Sequence, residues 1–263
     1  MESAAVHRIH CSYHKCLTVY FRRVMDSVFN RCQPWSGGYG HFNSHLQDFL
    51  AGFRDLEVAS VNNRALDPRD IGPCRISRFL RDPRDLVVSG YFYHRRGAEL
   101  WTQIVDPTAD DWYFAHGVVP EGLRAAGGSF ADYLKALPEE DGLLAELEFR
   151  TLHFESMARW RSLWGVDHPD VLVLRYEEIL GREVESFQRI FRHYGFGPMS
   201  STLGRFFARR HSLAGRSVRR HRADAHVRNP ASGQWREHFT PRVRRAFDAR
   251  WAGLIRQLGY PDD

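Results

Sequence analysis

At 263 residues, with a formal charge of +5 at neutral pH, the chain lies near the size, about 250–300 residues, at which one hydrophobic core stops growing; a single domain over 1–263 is expected. A hydrophobic fraction of 43% with 13% aromatic residues suffices for a packed interior, and no apolar run approaches the ~20 residues of a membrane span, so a soluble protein is expected. The basic excess favours an anionic partner and leaves nucleic acid, nucleotide and anionic lipid open.

The N-terminus, "MESAAVHRIHCSY", has neither the basic start nor the apolar stretch of a secretory signal, which suggests a cytoplasmic location. Cys11, Cys16, Cys32 and Cys74 form no zinc-like spacing, so reduced thiols and no metal are expected. "AVHRIHCSY" reads as a first strand. After it, Leu17, Tyr20, Phe21, Val24, Met25 and Val28 recur at helical spacing. "LEVASV" (56–61), "CRISRFL" (74–80) and "VLVLRY" (171–176) read as further strands. Helices are predicted around 83–94, 130–136, 143–164, 183–194 and 241–258. This alternation predicts an α/β fold, three layers (α/β/α) around a central parallel sheet, with ligands beyond the carboxyl ends of the strands.

The first strand-to-helix turn lies at that edge and contains Lys15, which with Lys135 makes up all the lysine of an arginine-rich chain. Lysine offers a compact charge where a guanidinium fork is too broad. The first N–H groups of a helix lack intrahelical acceptors and carry the positive end of its dipole, so an anion is favoured there. Thr18 adds a hydroxyl. The Gly-x-x-x-x-Gly-Lys-Ser/Thr pattern of ordinary nucleotide hydrolases is absent, since Cys11, Ser12, Tyr13 and His14 precede the lysine. "FLRDPRDLVVSGYFYH" (79–94) supplies a second anion-binding candidate. Asp82 is placed as N-cap, Pro83 as the first helical residue and Asp85 where a capping-box acid sits. Arg81 and Ser89 are the residues that could converge on a phosphate.

Together these segments resemble the sulfotransferases that use 3′-phosphoadenosine 5′-phosphosulfate (PAPS). "SYHKCLTVY" is similar to their phosphosulfate loop, Tyr-Pro-Lys-Ser-Gly-Thr-Thr-Trp, and "LRDPRDLVVSGYFYH" to their 3′-phosphate motif. "VLVLRYEEIL" resembles the strand carrying their Tyr-Glu-Asp signature, and "VRNPASGQWREHFTP" (227–241) their late Arg-Lys-Gly-x-x-Gly-Asp-Trp-Lys segment. The resemblance implies a P-loop-like fold, PAPS as donor, 3′-phosphoadenosine 5′-phosphate (PAP) as product, no metal, and a hydroxyl or amine of a small-molecule, carbohydrate or lipid acceptor. It implies that His14, Lys15, Cys16, Leu17, Thr18 and Val19 form the phosphosulfate cradle, with Lys15 stabilising charge on the leaving oxygen. It assigns Arg81, Ser89 and Arg228 to the 3′-phosphate. Tyr20 and Tyr176 either line the adenine pocket or pack in the core.

Several positions depart from the family pattern. His14 replaces its proline, Cys16-Leu17 replaces Ser-Gly, and Asn229-Pro230 replaces Lys-Gly. Cytosolic members carry a catalytic histidine after the strand corresponding to "LEVASV", where this chain has Asn62, Asn63 and Arg64. His41 and His45, in "GGYGHFNSHLQDF", are therefore the candidate bases, His41 ahead because the glycine-rich loop can bring it to the cleft, followed by His14 and His94. Residues 97–128, rich in glycine and aromatics, read as an acceptor lid whose Trp101, Trp112, Tyr113 and Phe114 either stack on an acceptor or pack onto the core. The basic stretch 209–222 reads as a polyanion contact or a donor-site cover. No nucleic-acid partner is expected and the oligomeric state stays open. A basic nucleic-acid-binding protein and a catalytically inactive nucleotide-binding scaffold are the alternatives.

Overall fold

The structure, a computed structural model, describes residues 6–212 and 231–262. Within them, chain order gives β1 (His7–Ser12), α1 (Thr18–Met25), β2 (Tyr39–His41), α2 (Leu46–Gly52), β3 (Val58–Asn62), α3 (Pro68–Ile71), β4 (Cys74–Leu80) and α4 (Pro83–Arg95). There follow α5 (Glu121–Ala126), α6 (Phe130–Ala136), α7 (Glu139–Phe149), α8 (Thr151–Trp164), β5 (Val171–Arg175), α9 (Tyr176–Ile179), α10 (Glu183–His193) and α11 (Pro198–His211). The short helix Trp235–His238 and the helix Pro241–Gln257 end the described chain. These residues fall into two compact units: one runs up to Leu80 and from Arg159 through α11, the other covers Arg81–Ala158 and the C-terminal helices.

The first unit holds a five-stranded sheet, ordered β2-β3-β1-β4-β5 and parallel throughout. Strand alternation sends Ile9, Cys11, Ala59, Val61, Cys74 and Ile76 to one face, against Phe49, Phe53, Trp160 and Trp164 of α2, the turn after it and α8. His10, Ser77 and Phe79 face the other way, towards Phe21 of α1 and Tyr194 after α10. Helices on both faces confirm the expected three layers. A buried polar chain crosses the second face: the Tyr194 hydroxyl donates to the Ile9 carbonyl (2.8 Å), and Ser77 Oγ lies 2.6 Å from it and 2.8 Å from His10 Nδ1. The His10 ring stacks on Phe21 at 3.5 Å between centroids, and burial holds its pKa well below the usual histidine value.

The second unit is helical. α4 packs on α6 and α7, and the helix Pro241–Gln257 also packs on α7. The helix expected over 143–164 is two helices, broken at Arg150, where the Phe149 carbonyl accepts the Val118 N–H at 3.0 Å. At the core, Glu146 of α7 accepts from Arg150 Nε (2.8 Å) and lies 2.7 Å from His94 Nδ1, with all three side chains fully buried. α4 approaches this cluster through Gly90; an added Cβ there would lie 2.0 Å from Glu146 Oε1.

Candidate active site

The turn between β1 and α1 is held by its own backbone. The Cys16 N–H donates to the Tyr13 carbonyl at 2.9 Å, and Lys15 (φ 71°) and Leu17 (φ 59°) both adopt the left-handed conformation. Each such residue costs about 1–2 kcal/mol without glycine, and strain of this kind persists where surrounding structure imposes it. Burial of Leu17 and full burial of Cys16 supply that constraint. Leu17, which stands where the family pattern has glycine, is thus held left-handed. Thr18 opens α1, so the N–H groups of its first turn, Val19 included, point out of the helix start. Ser12 Oγ donates to Asn62 Oδ1 at 2.8 Å and lies 2.8 Å from Thr18 Oγ1, whose hydroxyl also donates to the Tyr13 carbonyl at 3.3 Å. The Thr18 hydroxyl therefore ties α1 back to the strand end.

The ends of β1, β2 and β3 gather at the same sheet edge, since all three run parallel in register (Ser12↔Asn62, His41↔Ser60). Asn63, nearly fully buried and left-handed at φ 57°, is the strut there. Its Oδ1 accepts the His14 N–H at 2.9 Å and its Nδ2 donates to Ser44 Oγ at 2.9 Å. Arg64 Nε donates to the Ser44 carbonyl at 2.8 Å. One residue beyond each end of the strut are Lys15 and His45.

The two candidate bases differ. His41 ends β2, with Nε2 3.0 Å from Asn43 Oδ1 and Nδ1 2.8 Å from Ser60 Oγ. Asn43 Oδ1 can only accept, so Nε2 carries the proton and Nδ1 accepts from Ser60. Burial, helped by Arg22, pushes the His41 pKa down to about 3, leaving a neutral, weakly basic ring. His45 precedes α2, is partly exposed, and has Nδ1 3.3 Å from Asp48 Oδ2.

In the second unit, Asp82 caps α4 as expected: it accepts the Arg84 N–H at 2.9 Å, and Pro83 is the first helical residue. Asp85 departs from the capping-box expectation. Its two carboxylate oxygens accept the N–H groups of Gly233 (2.6 Å) and Trp235 (3.0 Å). Arg81 Nη2 lies 3.4 Å from the Ala231 carbonyl, and the Arg84 guanidinium stacks on the Trp235 ring at 3.8 Å. Arg81 is buried and Ser89 half-buried. Arg228 lies outside the described residues, as does most of the basic stretch 209–222. The late segment that does belong to them, from Ala231, is thus fastened to the start of α4, the helix that bears Ser89 and directly follows Arg81.

A sequence model of the sulfotransferase domain matches residues 11–259. The chain belongs to the sulfotransferase family. It is 28% identical over 172 residues to sulfotransferase 2B1 of Mus musculus, an alignment covering 64% of this chain and 44% of that relative. The crystal structure of a mouse sulfotransferase, SULT7A1, complexed with PAP, matches it with a TM-score of 0.54 at 18% identity, over 98% of this chain and 87% of that one. That likeness confirms the fold.

Within this family member, both tyrosines expected near adenine are buried. The Tyr20 hydroxyl donates to the Ala208 carbonyl of α11 at 2.8 Å and its ring meets Phe187 edge-on, the packing alternative. Tyr176 is buried at the start of α9. In residues 97–128, Trp101 and Trp112 are buried and pack on Phe130 and Phe149, whereas Tyr113 is exposed. His14 is half-buried beside Lys15, and His94 is fixed to Glu146. Asn63 is no candidate base in the sequence because an amide cannot act as one. Its position directly after a strand, opposite the phosphosulfate-like turn, was the available signal.

Proposed function

We propose that this chain moves a sulfuryl group from PAPS to a hydroxyl or amine of a small-molecule, carbohydrate or lipid acceptor, with release of PAP. The observation that carries the reading is the Lys15 turn: two non-glycine residues held left-handed at the carboxyl end of β1, opening directly into α1. Imposed backbone strain clusters at functional sites, and a helix N-terminus beside one lysine is suited to an anion. In this reading His14, Lys15, Cys16, Leu17, Thr18 and Val19 receive the 5′-phosphosulfate, and Lys15 meets the charge growing on the leaving oxygen. Arg81 and Ser89 take the 3′-phosphate by resemblance, and Arg228 completes the family's set.

Of the histidines, His45 is the better base. His41 is a poor proton acceptor with both ring nitrogens engaged, whereas the Asp48 carboxylate, 3.3 Å from His45 Nδ1, can orient the His45 ring. The test is a thermal shift with PAP against ADP, because a ligand bound only by the folded chain raises its melting temperature by mass action. A larger shift with PAP is expected; equal shifts would remove the donor assignment.

A further inference from the structure

We propose that Asp85 is a positioning residue for Arg81: by pinning the backbone of Gly233 and Trp235, its carboxylate sets the Ala231 carbonyl beside the Arg81 guanidinium and so fixes the aim of that guanidinium. The inference rests on the donor reading, in which Arg81 takes the 3′-phosphate.

Three observations converge on it. First, Asp85 stands in the first turn of α4, where an acidic side chain ordinarily reaches back to its own helix start. Here it is 1% exposed and serves backbone groups 148 and 150 positions further along the chain. Each carboxylate oxygen takes one N–H, the arrangement that satisfies a buried carboxylate most fully. Second, the pinned segment needs its glycine: Gly233 is left-handed at φ 78°, and Gln234 Nε2 folds back onto the Ala231 carbonyl at 2.7 Å. The same carbonyl faces Arg81 Nη2 at 3.4 Å. Third, the neighbouring Arg84 holds the other side of the segment. It stacks on Trp235 at 3.8 Å while Asp82 takes its Nη2 at 2.7 Å.

Arg81 itself is 2% exposed, so its direction is set by what surrounds it rather than by water. Burial raises the pKa of Asp85, and the Arg81 charge and the two N–H groups oppose that rise. A positive guanidinium and a negative carboxylate therefore support each other across one short turn, without the carboxylate needing to touch the nucleotide.

The test is isothermal titration of the full chain with PAP and with ADP, on the parent and on Asp85→Asn. Asparagine keeps the size and one acceptor but turns an NH2 towards a backbone N–H. The account expects the preference for PAP over ADP to fall by about tenfold or more, the scale of one hydrogen bond to a charged group, with ADP affinity unchanged within about twofold. Gly233→Ala, which disturbs the pinned turn from the other side, is titrated alongside, so that a poorly folding Asp85→Asn does not remove the test. An unchanged preference in the folded variants, or equal losses for both nucleotides, would overturn the proposal. A parent chain without any preference for PAP would be a different result: it would refute the donor reading of Arg81, and this inference with it.

Discussion

Replacing Gly90 by alanine should destabilise the chain strongly, although the same change in an open helix stabilises. An alanine Cβ at this position would lie 2.0 Å from Glu146 Oε1, 2.2 Å from Arg150 Nη2 and 2.8 Å from Glu146 Cδ. None of these can retreat into solvent, because Glu146, Arg150 and His94 are fully buried and joined by contacts of 2.7 and 2.8 Å. Helix propensity returns about 1 kcal/mol on going from glycine to alanine. Overpacking costs about 1–3 kcal/mol, and disturbing a buried ion pair about 3–5 kcal/mol more. The balance is a net loss of roughly 3 kcal/mol or more, a fall of about 6–12 °C in melting temperature for a chain of this size. Gly253, exposed in the helix Pro241–Gln257 with no described atom within 4 Å of an added Cβ, is the internal control. Gly253→Ala should gain about 0.5–1 kcal/mol. Thermal melts of the two variants followed by circular dichroism decide the matter: a Gly90→Ala chain as stable as the parent would refute the close approach of α4 to α7.

Asn63→Ala removes both ends of the strut and leaves an alanine at φ 57°; urea denaturation should show a loss of about 2 kcal/mol or more, and a loss below about 0.5 kcal/mol would rule the strut out. His41, whose pKa is lowered to about 3, stays neutral in the fold while the unfolded chain takes up a proton below the ordinary histidine value near 6.5. Its contribution to stability is therefore full above pH ~6.5 and declines as pH falls towards 3. After allowance for its partial exposure, the parent should lose about 1–2 kcal/mol between pH 7 and 5 relative to His41→Gln, and parallel pH profiles would contradict the buried neutral ring. If His45 is the base, His45→Ala should lose about 100-fold or more in turnover with PAP affinity retained, and full activity would return the role to another group.

The layers of the fold were legible because the signals there are local and strong. β4 runs over Cys74–Leu80 and α6 over Phe130–Ala136, as their patterns predict, and the Asp82-Pro83 start of α4 is specified within the motif itself. What escaped prediction depends on distant partners. β2 is three residues long in a glycine-rich stretch and exists because β3 pairs with it. The break at Arg150 is set by packing around Glu146 and by the Val118 N–H, which helical periodicity over 143–164 cannot register. The same holds at the site. The Lys15 turn was visible in residue types and spacing, but the hold of Asp85 on Gly233 and Trp235 and the bridging role of Asn63 arise from chain segments remote in sequence. His10, a polar residue on a central strand, is fully buried because Ser77, Tyr194 and Phe21, all outside its own strand, enclose it.

The most direct test of the central claim is the rate at which PAP is formed from PAPS in single-turnover mixtures with a panel of phenol, sterol, sugar and amine acceptors, comparing the parent with Lys15→Ala and Lys15→Arg. Because the charge that Lys15 meets grows as the bond to sulfur breaks, its contribution is larger in the transition state than in the ground state. The account predicts acceptor-dependent PAP formation by the parent and a loss of about 10²–10³-fold in Lys15→Ala with donor affinity nearly retained. Rescue in Lys15→Arg should be poor, since a planar fork does not replace a point charge. A parent that binds the donor but transfers to no acceptor, or a Lys15→Arg chain as fast as the parent, would contradict it.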